Sequence, residues 1–500
     1  MRTVSGPSDR VVIVGAGLSG LSAALRLVGA GRQVTLLERE SVPGGRAGVR
    51  RVDGYTFDTG PTVLTMPDLI ADAFDCVGER MDDWLTLRRL DPAYRVRFAD
   101  GTTLDVRATP EDTAAEIAAL CGPAEAQRYQ RLVDWLTRLY RYQMRSFIDR
   151  NLDSPLALVN ADLARLVAAG GFGRLGPAID ARLTDPRLRR VFSFQSMYAG
   201  LAPTDALACY AVISYMDTVA GVWFPDGGLH ALPTALAATA AKHGVDVRYD
   251  TDVVSVERSN GRAVAVRTAA GDRVSCDAVV LTVDRPVAAE RLLGQRSRRR
   301  LRYSPSCALL LAGAPAAGPH RAHHEVVFGT AWDQTFTEII DRGELMSDES
   351  FLVSTASRTD ASLAPAGRDA HTILFPTPNL TGHQDWARLR GPYRDRMLRV
   401  LTERGYPEFA EHAEVIDLVT PADWADRGMA AGTPFAAAHT FRQTGPFRPA
   451  NLARGWDNVV FAGSGTVPGV GVPSVLISGR LAAERITGPD RTYRSRAWLS

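Results

Sequence analysis

Three glycines constrain this chain more than any other feature. Gly15, Gly17 and Gly20 stand in G-x-G-x-x-G spacing between two short apolar runs near the N-terminus. Residues 11–14 have strand composition, 18–29 helical composition, and 33–37 are apolar again. That predicts a strand–helix–strand unit. The glycines of Gly15-Ala16-Gly17-Leu18-Ser19-Gly20 do different things. Gly15 permits a tight turn, Gly17 lets a pyrophosphate approach the backbone, and Gly20 lets helix and strand pack closely. The phosphates then meet free N–H groups at the positive end of the helix. Glu38 closes the second strand 18 residues past Gly20, with Arg39 beside it; a carboxylate there takes the adenosine ribose hydroxyls. The glycine pattern alone is weak evidence, but with strand, helix, strand and acidic terminus in place it specifies a dinucleotide site.

At about 150 residues per domain, 500 residues suggest about three domains. Hydrophobic residues at 45% and charged residues at 23% suit a large buried core and exclude a disordered or disulfide-built chain. The net charge of +2 leaves no nucleic-acid footprint. Cys76, Cys121, Cys209, Cys276 and Cys307 are never spaced C-x-x-C, so they read as reduced thiols in a cytoplasmic protein, with no metal site. The early apolar run 11–25 is interrupted by glycines and lacks a cleavage site, unlike a secretory signal. No apolar stretch is long enough to span a bilayer, so membrane contact is expected from the side. Further along, Asp100-Gly101 and Asn260-Gly261 mark hairpins. Residues 111–201 read as largely helical, a helix is expected near 393–404, and a last strand at 459–462 precedes a helix over 474–486.

Pro43-Gly44-Gly45-Arg46-Ala47-Gly48 follows Glu38, and Arg46 can reach a pyrophosphate as a fork-shaped donor. This extension, with Asp58-Thr59-Gly60-Pro61-Thr62, resembles the two-dinucleotide-binding-domain flavoproteins and implies FAD. No second G-x-G-x-x-G follows a strand, so no NADPH module is expected. Phe57 to Pro61, the run Gly221-Val222-Trp223-Phe224-Pro225-Asp226-Gly227-Gly228, the glycine-rich loop from Ala462 to Pro473, and the blocks Phe441-Arg442-Gln443 and Phe447-Arg448-Pro449 resemble the bacterial-type phytoene desaturases. The similarity runs from residue 11 to 487. It implies an α/β fold: a Rossmann-type, amine-oxidase-like FAD-binding domain (1–92, 225–300 and 440–500), a mixed-sheet substrate domain (93–110 and 301–439), and a helical membrane-facing subdomain (111–224). It also implies that Thr59, Gly60, Pro61, Thr62, Gly227 and Gly228 lie near the isoalloxazine and that Val253 touches the adenine side. The loop containing Gly463, Ser464, Gly465, Gly471 and Val472 would close over the ribityl chain and ring. Two positions depart from relatives: Ser464 stands where flavin amine oxidases carry Glu, and Val467 where many phytoene desaturases carry His.

The implied reaction is stepwise dehydrogenation of phytoene toward lycopene, with a hydride passing to flavin N5 and a proton leaving the neighbouring carbon. Oxygen or a quinone would be the terminal acceptor. A later or C30 carotenoid substrate, a non-catalytic prenyl-lipid escort of the same fold, or a flavin amine oxidase are the alternatives; the intact phosphate cradle argues against an escort, and Ser464 in place of Glu argues against an amine oxidase. Asp162 and Arg165, three apart on a helix, match a D-x-x-R that the family is proposed to use in catalysis; a surface ion pair is the competing reading. His230 reads as structural. A C40 hydrocarbon lives in the bilayer, so peripheral association with the inner face of the cell membrane is expected. Residues 139–148 and 156–175 read either as interfacial or as core-packing segments. The basic run Arg296, Arg298, Arg299, Arg300 and Arg302 reads as a headgroup contact or a solvated loop.

Overall fold

The computed structural model describes residues 1–296, 299–318, 320–411 and 413–490, together with Tyr493 and Ser495. Its centre is a five-stranded parallel sheet in the order Val459–Phe461, Ala278–Leu281, Arg10–Val14, Gln33–Leu37, Asp246–Arg248. Both faces of the middle strand are covered. Val11 and Ile13 pack with the first helix, Leu18–Gly29, while Val12 and Val14 pack with Val253, Val256 and Leu281 on the other side. Two-sided burial explains why this strand is continuously apolar rather than alternating.

A seven-stranded mixed sheet forms the second layer, running Glu414–Val419, Ser306–Pro315, Arg368–Thr377, Phe351–Thr355, His324–Val327, Tyr94–Arg97, Thr103–Val106. Only His324–Val327 and Tyr94–Arg97 pair in parallel. The two expected hairpins form, Tyr94–Arg97 with Thr103–Val106 and Val253–Ser259 with Arg262–Thr268. The expected helix near 393–404 is longer, Trp386–Glu403, and contains Pro392. The Asp385 side chain accepts from the Arg388 amide and caps the helix upstream of the proline.

Residues 110–220 are mostly helical, dominated by Pro123–Gln143. Tyr129, Leu132, Leu136, Leu139 and Tyr140 of that helix are buried, as is Met144 just beyond it. The apolar side of 139–148 therefore serves the core rather than an interface. The segment 156–172 instead projects Leu156, Val159, Val167 and Phe172 outward. No helix among the described residues is long and apolar enough to cross a membrane. In the basic run, Arg298 lies outside the described residues. Arg296 approaches Glu290, Arg299 donates to the Phe447 and Arg442 carbonyls, Arg302 meets Asp341, and Arg300 is exposed.

The first helix lies against the last, Val472–Thr487, at a contact that tolerates no side chain. A Cβ on Gly479 would stand 2.3 Å from the Ser19 carbonyl oxygen. Gly479→Val is therefore expected to destabilise by about 1–3 kcal/mol. The urea midpoint of the variant checks the sign.

Candidate active site

The first glycine turn is built from backbone contacts. Gly15 N donates to Leu37 O at 2.8 Å, and the Thr282 hydroxyl donates to the Val14 and Gly15 carbonyls at 2.9 and 3.0 Å. A Cβ on Gly20 would meet Gly15 O at 2.1 Å, so only glycine lets the helix begin this close to the strand. Gly17 is the N-cap and offers no side-chain acceptor. By helix geometry the amides of Leu18, Ser19 and Gly20 point outward without a partner on the helix. Glu38 is buried beside them. Its Oε2 accepts from Ala16 N at 2.6 Å and its Oε1 from Glu40 N at 3.0 Å. Burial pushes its pKa up, and the amides of Glu40 and Ala16 pull it back.

The other loops expected at the cofactor converge on this turn. Gly44 N donates to Ala16 O at 2.9 Å and pairs with Gly17 as an isolated bridge, which brings Gly45 and Arg46 over the helix end. Thr59 N reaches Gly48 O at 3.0 Å, setting Thr59, Gly60 and Pro61 against the second glycine loop. Asp58 accepts from Leu229 N at 2.9 Å and His230 N at 3.2 Å, drawing Gly227 and Gly228 to the same place. Burial pushes the Asp58 carboxyl up to about 6, against the pull of those two amides. His230 faces the Ala47 carbonyl at 2.9 Å through Nδ1, and burial lowers its pKa, so it is a neutral structural donor. Asp250 N and Thr251 N donate to Glu40 O and Glu38 O, and the buried Val253 begins just after them. Arg39 sits at the rim, exposed, holding Glu40 and the Arg427 carbonyl.

The C-terminal loop closes the constellation. The Arg46 guanidinium donates to Ser464 Oγ and, at 3.3 Å, to Asp284. Gly463 stands beside Ser19, and its amide donates to Ser478 Oγ at 3.0 Å. Gly465 packs on Arg285; Gly471 caps the last helix without a side chain, and Val472 is buried at its first turn. The loop is braced from behind by Arg448, which is buried and donates to Ser464 O at 2.6 Å, Thr466 O at 2.8 Å, and the Ala437 and Gln443 carbonyls at 3.3 Å. Burial lowers its pKa to about 10, which leaves it charged at neutral pH. In the sequence Arg448 is marked only as part of a block, with no partner assigned to it. Uncapped helix amides, close backbone approach at glycines, and a buried carboxylate at the end of the second strand fit a dinucleotide.

Asp162 and Arg165 stand apart from these loops. They pair at 2.7 Å on the Ala161–Ala168 helix, Arg165 is exposed, and Ser146 donates to Asp162. One buried acid has no counterpart in the sequence reading. Asp217 lies one turn before Gly221, its Oδ2 has no hydrogen-bond partner within bonding geometry, and burial pushes its pKa up to about 7, against a lowering by the Tyr94 hydroxyl. The Tyr94 ring lies 5.5 Å from that of His324, whose Nε2 faces Thr62 O at 3.1 Å. A lone acid in the apolar stretch 211–222 is the signal that the sequence offers for it.

Residues 18–487 match the model of the flavin-containing amine oxidoreductases. A phytoene dehydrogenase of Streptomyces griseus is 56% identical over 98% of this chain and 97% of its own length. A zeta-carotene-forming phytoene desaturase of Myxococcus xanthus is 37% identical over 95% of this chain and 93% of its own. The chain belongs to the flavin-containing amine oxidoreductase family. Within that family it is an FAD-dependent oxidoreductase of the bacterial phytoene desaturase group. An oxidoreductase from Methanosarcina mazei shares the flavoprotein fold, with a TM-score of 0.65 at 16% identity over 94% of this chain and 99% of that one.

Asp217 makes the flavoprotein's stability pH-dependent. Its folded pKa of about 7 lies above the ordinary value of 3.8, so its proton favours the fold fully below about pH 4, and that contribution is lost as pH rises toward 7. Asp217→Asn should make the fall of Tm between pH 4 and 8 shallower, with Asp58 at about 6 accounting for part of what remains; an unchanged slope would remove Asp217 as a source.

Proposed function

We propose that this chain dehydrogenates phytoene stepwise toward lycopene while docked peripherally on the inner face of the cell membrane. The observation that carries this reading is the 56% identity, across nearly both lengths, to a phytoene dehydrogenase. The intact dinucleotide cradle adds support, because a lipid escort has no use for it. When bound, FAD would supply a two-electron acceptor for hydride at N5, with oxygen or a quinone as the terminal acceptor. The protein's part is positional: the amides at Leu18 to Gly20 and the Arg46 fork would hold the pyrophosphate, and Glu38 would hold the ribose. Gly227, Gly228, the Thr59–Thr62 stretch and the loop braced by Arg448 confine the ring. A hydrocarbon offers nothing to hydrogen-bond, so a dry, close-fitting slot takes the place of polar recognition.

The zeta-carotene-forming relative supports a second reading, a shorter reaction series, so the number of steps is the quantity to measure. Under anaerobic conditions, the purified flavoprotein mixed with phytoene-loaded vesicles should lose oxidised-flavin absorbance and yield carotenoids of longer conjugation. Chromophore length counts the steps. Flavin that stays oxidised beside unchanged phytoene would reject the substrate.

The Asp162–Arg165 pair tests separately. Exposed ion pairs contribute about 0–1 kcal/mol, and Ser146 gives this one a structural role between two helices. Asp162→Asn is expected to retain turnover in vesicles. A fall in kcat with unchanged vesicle binding would return the pair to the chemistry.

A further inference from the structure

The long Pro123–Gln143 helix buries one side and turns a row of arginines outward, next to a wall formed by the end of the Ala161–Ala168 helix. Two adjoining surface clefts of about 410 and 380 Å³ share Trp135, Arg138 and Arg182. The first adds Arg128 and Arg131, the second Arg165. The Arg182 guanidinium lies over the Trp135 ring, 4.0 Å from its centroid, and donates to Ala178 O at 2.7 Å. Trp135 is anchored in turn by Nε1 donating to Ala169 O at 2.9 Å.

The charges here are unbalanced. Among the described residues, no carboxylate lines either cleft. Two nearby acids pair with arginines at the cleft edges, Glu125 with Arg128 and Asp162 with Arg165, and Asp180 pairs with Arg189 outside them. Asp134 lies between Arg131 and Arg138 along the helix and lines neither cleft. Among the described residues, Arg131, Arg138 and Arg182 have no ion-pair partner. Burial and the neighbouring Arg138 charge both depress the Arg182 pKa. Like charges gathered over an aromatic face, without acids, suit a multivalent anion.

The surroundings identify the anion's setting. Ala168 and Ala169 wall the second cleft. The segment that contains them exposes Leu156 (81%), Val159 (74%), Val167 (57%) and Phe172 (44%). Exposed aliphatics beside an arginine cleft match an interface where apolar side chains enter the acyl boundary and guanidinium groups stay with the phosphates. We propose that the Arg131–Arg138–Arg182 cleft binds the phosphate headgroup of an anionic phospholipid, with Leu156, Val159, Val167 and Phe172 inserting beside it. This deepens the proposed membrane docking and rests on it.

Co-sedimentation of the flavin-loaded protein with phosphatidylglycerol–phosphatidylcholine vesicles tests the site directly. Each basic side chain at an anionic surface is worth about a fivefold gain in binding. Arg131→Gln/Arg138→Gln should therefore weaken binding about 30-fold, and adding Arg182→Gln should weaken it further. The double variant leaves the Arg182–Trp135 stack intact, so unchanged flavin absorbance certifies its fold. Wild-type binding should collapse at about 1 M salt, where screening reaches about 3 Å. Equal binding of wild type and double variant would overturn the proposal. So would wild-type binding that is as strong on pure phosphatidylcholine, or binding of inorganic phosphate without any vesicle binding. Vesicle binding is read without turnover. A protein that docks through these arginines but leaves phytoene untouched keeps this inference and loses the proposed substrate. One that desaturates detergent-dispersed phytoene yet ignores anionic vesicles keeps the proposed substrate and loses this inference together with the membrane docking it rests on.

Discussion

The N-terminal end of the first helix is gripped on two sides at distances that exclude any side chain. Gly20 lies against the Gly15 carbonyl, and Gly479 of the last helix lies against the Ser19 carbonyl. These contacts place the positive pole of the helix at the mouth of the central sheet, where its free amides can meet a pyrophosphate. They also bring the two ends of the chain into one wall, since Ser22 Oγ donates to Leu476 O at 2.8 Å. The cofactor cradle depends on this geometry: the second glycine loop rests on Gly17, the strand-end carboxylate holds Ala16, and the C-terminal loop arrives through Gly463 beside Ser19.

Buried charge holds the remaining pieces in register. Arg448 satisfies four loop carbonyls that would otherwise be buried without donors. Arg480 donates to Asp149 through Nε at 3.0 Å, Asn151 donates to Leu481 O at 3.0 Å, and Arg485 meets Asp153 at 2.7 Å. That cluster fastens the end of the long arginine-bearing helix region to the last helix, which itself packs on the first. Removing one partner of such a buried pair costs about 3–5 kcal/mol, because the other charge is stranded. The helical region proposed to meet the membrane is thus tied to the scaffold that holds the flavin loops.

Much of the cofactor site is legible in the sequence because its determinants are local. A glycine spacing, a strand-end acid and turn dipeptides such as Asp100-Gly101 and Asn260-Gly261 act over a few residues, where backbone sterics decide the outcome. The places where structure departs from expectation share a different cause. A proline normally breaks a helix, so the pattern around Pro392 suggests a start after it, but the Asp385 cap begins this helix earlier. Residues 139–148 carry the mixture of arginines and aromatics that an interfacial helix carries, and composition cannot say which side faces a core. Asp217 shows in the sequence only as a lone acid in an apolar run, and that signal has no meaning until its neighbours are known.

Contiguous residues suffice to specify a dinucleotide site at a strand–helix turn and, through the later glycine blocks, a place among the FAD-dependent desaturases. Their conformational freedom and spacing are written along the chain. Which distant groups act together is settled only by folding: Arg46 with Ser464 and Asp284, Asp58 with the Leu229 and His230 amides, Arg448 with the C-terminal loop, and Arg131, Arg138 and Arg182 around Trp135. Burial and charge pairing are properties of the folded environment. No residue carries them until the chain has closed around it.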